Sequence, residues 1–408
     1  MKILFSPCHY VYDEFSGGSE PLWAFNIANS IANINPDSVV VTGFKKLLEE
    51  KKYKIIEVQP DKKKIDISIK NAIFFSIEYF LETRKILKNN TFNIIHHVLP
   101  FSIGNTFNFN FIFNNKKLKL VIGPIQSPLT YKDDDVNLED VRSNNKKNSF
   151  NSVVFKGLYF FIHPILKYLS NLTLKMADAI VVINEHTKNI LIKNKIKPEK
   201  IHIISPGIDT NKFEYVPYNN KKTQKIELLV VSYLLKRKGV DLIVKAIKEV
   251  VKYNNGIVLR IVGDGPQRQN LENLVKELKL EEFIVFEGFV NNSGVQEYYR
   301  KTHIFLSMSR DESWGQMYLE AMACGLPVIS SVNNGSVCMI KDGQNGFLVG
   351  QEDFLTLSAK ILKLINNPRL ISRFGENARR DAENNYDWIK CIIPKYVEIY
   401  KRLSMNDK

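Results

Sequence analysis

The stretch SRDESWGQMYLEAMACGLPVISS, residues 309–331, decides how this chain is read. A strand ends near Ser309, a loop holds Glu312 and Gly315, a helix begins near Gln316, CGLP at 324–327 stops it, and the β-branched run PVISS starts another strand. Parallel strands cannot be joined by a tight turn, so a strand, helix and strand in this order form a crossover unit of a parallel sheet. Gly315 stands where the first N–H groups of the helix have no intrahelical partner, and such groups bind phosphate. Glu312 projects from the loop, and Glu320 lies about one turn inside the helix at the same mouth. Two carboxylates held on either side of a diphosphate pocket can grip two hydroxyl-bearing parts of one ligand. The chain holds 25 glutamates, so roughly one or two pairs at this separation arise by chance, and the strand, glycine and helix around this pair carry its meaning.

Outward from this segment the same rhythm repeats. On the C-terminal half, IELLVVSY at 226, VLRIVGDG at 258, FIVFEGFV at 283, IFLSMS at 304, PVISS at 327 and GFLV at 346 alternate with helical patterns such as VDLIVKAIKEVVK and QNLENLVKELKL. On the N-terminal half, KILFSP, SVVVTG, FNIIHHV, LKLVIGP, ADAIVVIN and IHIISPG recur in the same way. Between the halves, PGIDTNKFEYVPYNNKKTQK lacks an apolar period and reads as a linker. The expected fold class is α/β, two Rossmann-like doubly wound domains in tandem: 1–205, a linker at 206–225, 226–385, and an amphipathic segment at 386–408 that could cross back to the first domain. At 408 residues and 44% hydrophobic content the chain suits two such cores of roughly 200 residues each. Ligands of open parallel sheets bind beyond the carboxyl ends of the strands, so chemistry is expected in a cleft between the two domains.

The EAMACG-like helix and PV strand after a Glu-x7-Glu pair resemble the retaining glycosyltransferases of family 4, which have the GT-B fold. The resemblance extends over nearly all of the chain and is strongest from 226 to 349. It implies that Glu312 contacts the sugar of a nucleotide-sugar donor and Glu320 the ribose, with Trp314, Gly315, Gln316 and Met317 lining the donor site. SYLLKRKGVDLIVKAI, from 232, is similar to the family segment ending in Lys-Gly, which makes Lys238 the cation on the donor diphosphate. The sequence departs at Tyr233, where many relatives have an arginine, and Arg237 is the candidate to replace it. GDGP at 263–266 could be mistaken for a dinucleotide fingerprint, but it lacks the third glycine and the later acidic residue. It resembles instead the family's turn at the wall of the nucleotide site, with Gly263 and Gly265 as contacts, and EGFV at 287–290 resembles the loop that reads the base, with Phe289 and Val290. SGGSE matches the family's loop after strand one, and Gly17 and Gly18 would let the backbone approach the diphosphate and sugar closely. FNIIHHV puts His96 and His97 at a strand end. Neighbouring residues alternate across a strand, so one of them points inward, and His97 is chosen as the catalytic candidate. Gly123-Pro124 stands where several family members carry a further catalytic-site histidine.

The remaining features narrow the class. The net charge of +14 divides into +8 in residues 1–211 and +6 beyond. Charge shared in this way, without an RNA- or DNA-binding signature, suits an anionic membrane surface or phosphorylated substrates and argues against nucleic acid. Cys8, Cys324, Cys338 and Cys391 have no metal or disulfide spacing, and reduced cytoplasmic thiols are expected. MKILFSPCHY reads as a buried strand, not a secretion signal. In residues 153–169 the interruptions Lys156, His163, Pro164 and Lys167 argue against a membrane span; a helix lying on the bilayer with Phe155, Leu158, Tyr159, Phe161 and Ile162 inward, and a core helix, both remain open. No DxD metal site is evident, Asp133–Asp135 reading as a polar loop, so metal-independent chemistry with no cofactor is expected. The expected activity is retaining transfer of a hexose from a UDP- or GDP-sugar to a hydroxyl of a glycan or lipid-linked acceptor, in the cytoplasm or at the inner face of the plasma membrane. A noncatalytic GT-B scaffold and a nucleotide-sugar epimerase are the alternatives, and a phosphorylase would need a pyridoxal-phosphate lysine.

Overall fold

Thirteen strands, all pairing in parallel, form two sheets among the residues described by the computed structural model, which are 1–12, 19–46, 50–58, 69–98, 103, 107–113, 118–128, 149–221 and 224–405. The first sheet holds β1 (Ile3–Tyr12), β2 (Val39–Lys46), β3 (Lys54–Glu57), β4 (Ile94–His97), β5 (Lys119–Ile125), β6 (Ala179–Val182) and β7 (Ile201–Ile203) in the order β3-β2-β1-β4-β5-β6-β7. The second holds β8 (Ile226–Val231), β9 (Ile257–Val262), β10 (Ile284–Gly288), β11 (Ile304–Ser307), β12 (Val328–Ser331) and β13 (Gly346–Val349) in the order β10-β9-β8-β11-β12-β13. Both are doubly wound, and each reverses direction next to its first strand, between β1 and β4 in one and between β8 and β11 in the other. The central strands read as continuous apolar runs because helices cover both faces. The helix Val240–Val250 shows the complementary pattern: Val240, Ile243, Val244 and Ile247 return every three or four residues and lie buried in the core of the second unit with Leu228, Leu259 and Leu306.

The described residues divide into a unit drawn from 1–128, 149–207 and 388–405 and a unit drawn from 208–387. Residues 208–221, read from the sequence as linker, therefore belong to the second unit. Side chains of that unit hold them: the Thr210 hydroxyl donates to Asp387 Oδ2 at 2.6 Å, and Arg379 donates to the carbonyls of Thr210 at 3.2 Å and Phe213 at 2.7 Å. A missing apolar period signals a loop but does not show whether the loop is tied down. The segments holding Gly17, Gly18 and Asp133–Asp135 lie outside the described residues, as do the side chains of Phe155, Leu158, Tyr159, Phe161 and Ile162. Among the described residues no helix is long and apolar enough to cross a membrane.

The helix Ile393–Met405 closes the first unit, burying Tyr396, Ile399 and Tyr400. Its Tyr400 hydroxyl donates to His96 Nδ1 at 2.7 Å, while His96 Nε2 donates to the Gly123 carbonyl at 2.9 Å. One ring nitrogen accepts and the other donates, so this imidazole is neutral, and burial lowers its pKa to about 3. A histidine depressed in the folded state and ordinary in the unfolded one contributes stability above about pH 6.5 that is lost as pH falls toward 3, because the unfolded chain takes the proton first. Urea unfolding followed at about pH 7 and pH 5 is expected to show a clear loss of stability for the wild type and a shallower loss for His96→Gln. Equal slopes would remove the assignment.

Candidate active site

At the reversal point of the second sheet, β8 and β11 pair directly, with Ile304 opposite Leu228 and Phe305 opposite Leu229. The loops leaving their carboxyl ends, 232–239 and 308–315, must therefore run side by side. The Arg310 N–H donates to the Arg237 carbonyl at 2.7 Å, and Arg237 Nη1 donates to the Asp311 carbonyl at 3.3 Å. A 3-10 turn at Lys236–Lys238 then delivers Lys238 against Glu312, Nζ donating to Oε2. Both side chains are largely withdrawn from water, 14% and 13% exposed, so the pair attracts in a medium less polar than bulk solvent. An ammonium has three N–H donors, and Glu312 engages one.

Gly315 caps the helix Gln316–Ala323 with φ 86. A Cβ there would lie 2.5 Å from the Tyr318 ring and 3.2 Å from Glu312 Cγ, so only glycine lets the loop close onto the helix with Glu312 folded over it. Beneath the loop, the buried Tyr318 hydroxyl lies 3.2 Å from Ser307 Oγ and accepts from Ser330 Oγ at 2.9 Å and Asn333 Nδ2 at 3.3 Å. The Gly335 N–H holds the Glu312 carbonyl at 2.9 Å. Trp314 is buried with its Nε1 lacking a hydrogen-bond partner among the described residues, and Gln316 and Met317 are half-buried in the first turn. Glu320, also half-buried, accepts from the Tyr299 hydroxyl at 2.8 Å; burial raises its pKa above the usual carboxylate range, against that bond.

The other candidates fall in three places. Gly263 and Gly265 lie in the loop after β9, where the Gly263 N–H donates to the Gly288 carbonyl at 2.8 Å and the Leu234 N–H to the Asp264 carbonyl at 2.9 Å, lacing together the ends of β8, β9 and β10. Phe289 is 68% exposed just beyond β10, an unusual place for a phenyl ring, and Val290 is half-buried. Tyr233 is exposed, and Arg237 lies on the loop with Lys238. His97 belongs to the first unit, at the carboxyl end of β4 and buried; its Nδ1 accepts from Asn108 Nδ2 at 3.0 Å, which leaves the proton of the neutral ring on Nε2. His96 is buried as well, so the alternation argument separates the two faces without exposing either. Tyr299, Tyr318, Gly335 and Arg310 were not found from sequence. Their partners lie up to 74 residues away, as with Arg310 and Lys236, and no local spacing announces them.

Two doubly wound units, one with a lysine–glutamate pair and a glycine-capped helix at its reversal point, define the GT-B class of protein. Residues 211–381 match the family model described as "Glycosyl transferases group 1", and residues 151–212 match "Glycosyltransferase Family 4". Between them the two matches run from 151 to 381 and make the chain similar to the family 4 glycosyltransferases over that span. Among its relatives is an uncharacterized glycosyltransferase of Methanocaldococcus jannaschii, 30% identical over 58% of this chain and 62% of the relative. Another is a GDP-mannose-dependent alpha-(1-6)-phosphatidylinositol monomannoside mannosyltransferase of Mycolicibacterium smegmatis, 24% identical over 52% of this chain and 59% of that one. The matched region thus spans about three fifths of the length of these curated relatives. The crystal structure of Anabaena HepE in complex with UDP shares the fold, with a TM-score of 0.66, 17% identity, and coverage of 98% of this chain and 100% of HepE.

Proposed function

We propose that this chain is a retaining glycosyltransferase that moves a hexose from a UDP- or GDP-sugar to a hydroxyl of a glycan or lipid-linked acceptor in surface polysaccharide or glycolipid synthesis. The observation that carries the reading is the Lys238–Glu312 pair, formed at the reversal point of the second sheet beside the start of the helix Gln316–Ala323. When the bond between the sugar's anomeric carbon and the phosphate oxygen breaks, its electron pair stays on the nucleotide diphosphate. Lys238 and the first N–H groups of the helix, at Gln316 and Met317, then meet the charge that develops there. Glu312, released from Lys238 by the diphosphate, accepts from hydroxyls of the donor sugar. Glu320 offers the ribose its Oε1 while Tyr299 holds Oε2. Gly263 and Gly265 wall the nucleotide, and Phe289 and Val290 meet the base. The acceptor hydroxyl attacks on the face the phosphate leaves, and its proton passes to a departing phosphate oxygen. In the first unit, His97 is the polar group assigned to the acceptor side, with Asn108 setting its tautomer. HepE was crystallised with UDP and the mycobacterial relative is named for GDP-mannose and a phosphatidylinositol acceptor, which supports a nucleotide-sugar donor and keeps both bases in view.

The reading assigns the cytoplasm as the site of action, peripherally at the inner face of the membrane, and a reaction without a metal, since lysine and helix amides supply the positive charge. Purified protein incubated with a panel of UDP-, GDP- and ADP-sugars is expected to release nucleotide from at least one, or to be stabilised thermally by it, equally well in EDTA. No response to any sugar nucleotide would end the enzyme reading. Loss of activity in EDTA, restored by a divalent cation, would end the metal-free part alone.

A further inference from the structure

We infer that Arg310 is a positioning residue of the donor site, a clamp that sets Lys238 against Glu312. The inference rests on the donor reading above. Arg310 lies two residues before Glu312, yet its side chain reaches across to the Lys238 loop. All five of its N–H groups are engaged. Nη1 and Nη2 donate to Asp241 Oδ1 and Oδ2, each at 3.0 Å; Nε and Nη2 donate to Glu352 Oε1 and Oε2 at 2.5 and 3.0 Å; and Nη1 also donates to the Lys236 carbonyl. The side chain is 11% exposed, far more withdrawn than its partner Glu352 at 58%.

The three tethers act on different parts of one assembly. Asp241 is in the first turn of the helix that follows the Lys238 loop, and Lys236 opens the 3-10 turn that ends at Lys238. The Arg310 main chain adds its N–H to the Arg237 carbonyl. A single guanidinium thus holds the turn before Lys238 and the helix after it, while its own backbone carries Glu312. A planar fork with bidentate contacts fixes distance and direction together, which a flexible lysine at 310 could not do. Nothing in the set points Arg310 itself toward a ligand; its effect passes through Lys238.

That indirect route is what the experiment reads. Binding of UDP and GDP to the full chain is measured by calorimetry for the wild type, Arg310→Met, Lys238→Ala and the double variant, with melting temperatures alongside. Arg310→Met is expected to weaken the preferred nucleotide about tenfold in the wild-type background and less than about twofold once Lys238 is absent. Equal weakening in both backgrounds, or wild-type affinity in Arg310→Met, would overturn the clamp. Wild-type protein that binds neither nucleotide would overturn the donor reading and the clamp with it. If Arg310→Met does not fold, Asp241→Asn in the same cycle, which removes the bidentate partner, is expected to show the same loss of effect without Lys238.

Discussion

Lys238→Ala is expected to lower turnover by about a hundred- to a thousandfold, the range seen when one preorganised group is withdrawn from charge that develops in a transition state. The structure makes the result separable from a loss of fold. Lys238 and Glu312 contact each other while both are mostly withdrawn from water, so removing the lysine alone leaves a partly desolvated carboxylate without its cation, which costs a few kcal/mol. Lys238→Ala should therefore lower the melting temperature as well as the rate, and Glu312→Ala should do likewise for the opposite charge. In Lys238→Met/Glu312→Gln neither charge remains to be desolvated. That protein should regain most of the stability and none of the turnover. Steady-state rates and thermal melts of the four proteins decide it: turnover near wild type in either single variant refutes the roles assigned, and recovery of turnover in the double variant would mean that the pair serves the fold alone.

The second large effect is structural. Gly263→Ala is expected to cost about 3 kcal/mol or more, since a backbone clash must be relieved and an unfavourable dihedral held at the same position. Gly263 follows β9 with φ 132, and a Cβ there would lie 1.8 Å from the Ser232 carbonyl oxygen, which is main chain and cannot swing away as a side chain would. The Ser232 carbonyl belongs to the loop that goes on to Lys238, and the Gly263 N–H is committed to Gly288. Any relief must move the ends of β8, β9 and β10 apart, at the proposed nucleotide wall. Chemical unfolding of the variant checks this, and a stability within about 1 kcal/mol of wild type would show that the loop yields more easily than its packing implies.

How much of this was legible in the sequence depends on the range of each interaction. The apolar runs and the helical stripes between them were readable because strand and helix periods are local properties. Gly315 was readable at the helix start because a cap is also local, and the position of Lys238 before Gly239 followed from the resemblance. The membership of residues 208–221 was not readable, since Thr210 is held by Asp387 and Arg379. His96 and Tyr400 are 304 positions apart, and nothing in either neighbourhood marks the other.

Side chains within a few residues of one another set the strand and helix periods of two doubly wound sheets, and they set the course of the segment from Glu312 to Glu320 out of a strand, past a glycine and into a helix. What Glu312 faces depends instead on how the whole domain assembles. The order β10-β9-β8-β11-β12-β13 places β8 beside β11, so loops 74 residues apart in the chain lie together, Lys238 meets Glu312, and Arg310 can hold both. Strand order depends on which crossovers pack across the sheet, a property of the whole domain that no window of sequence contains.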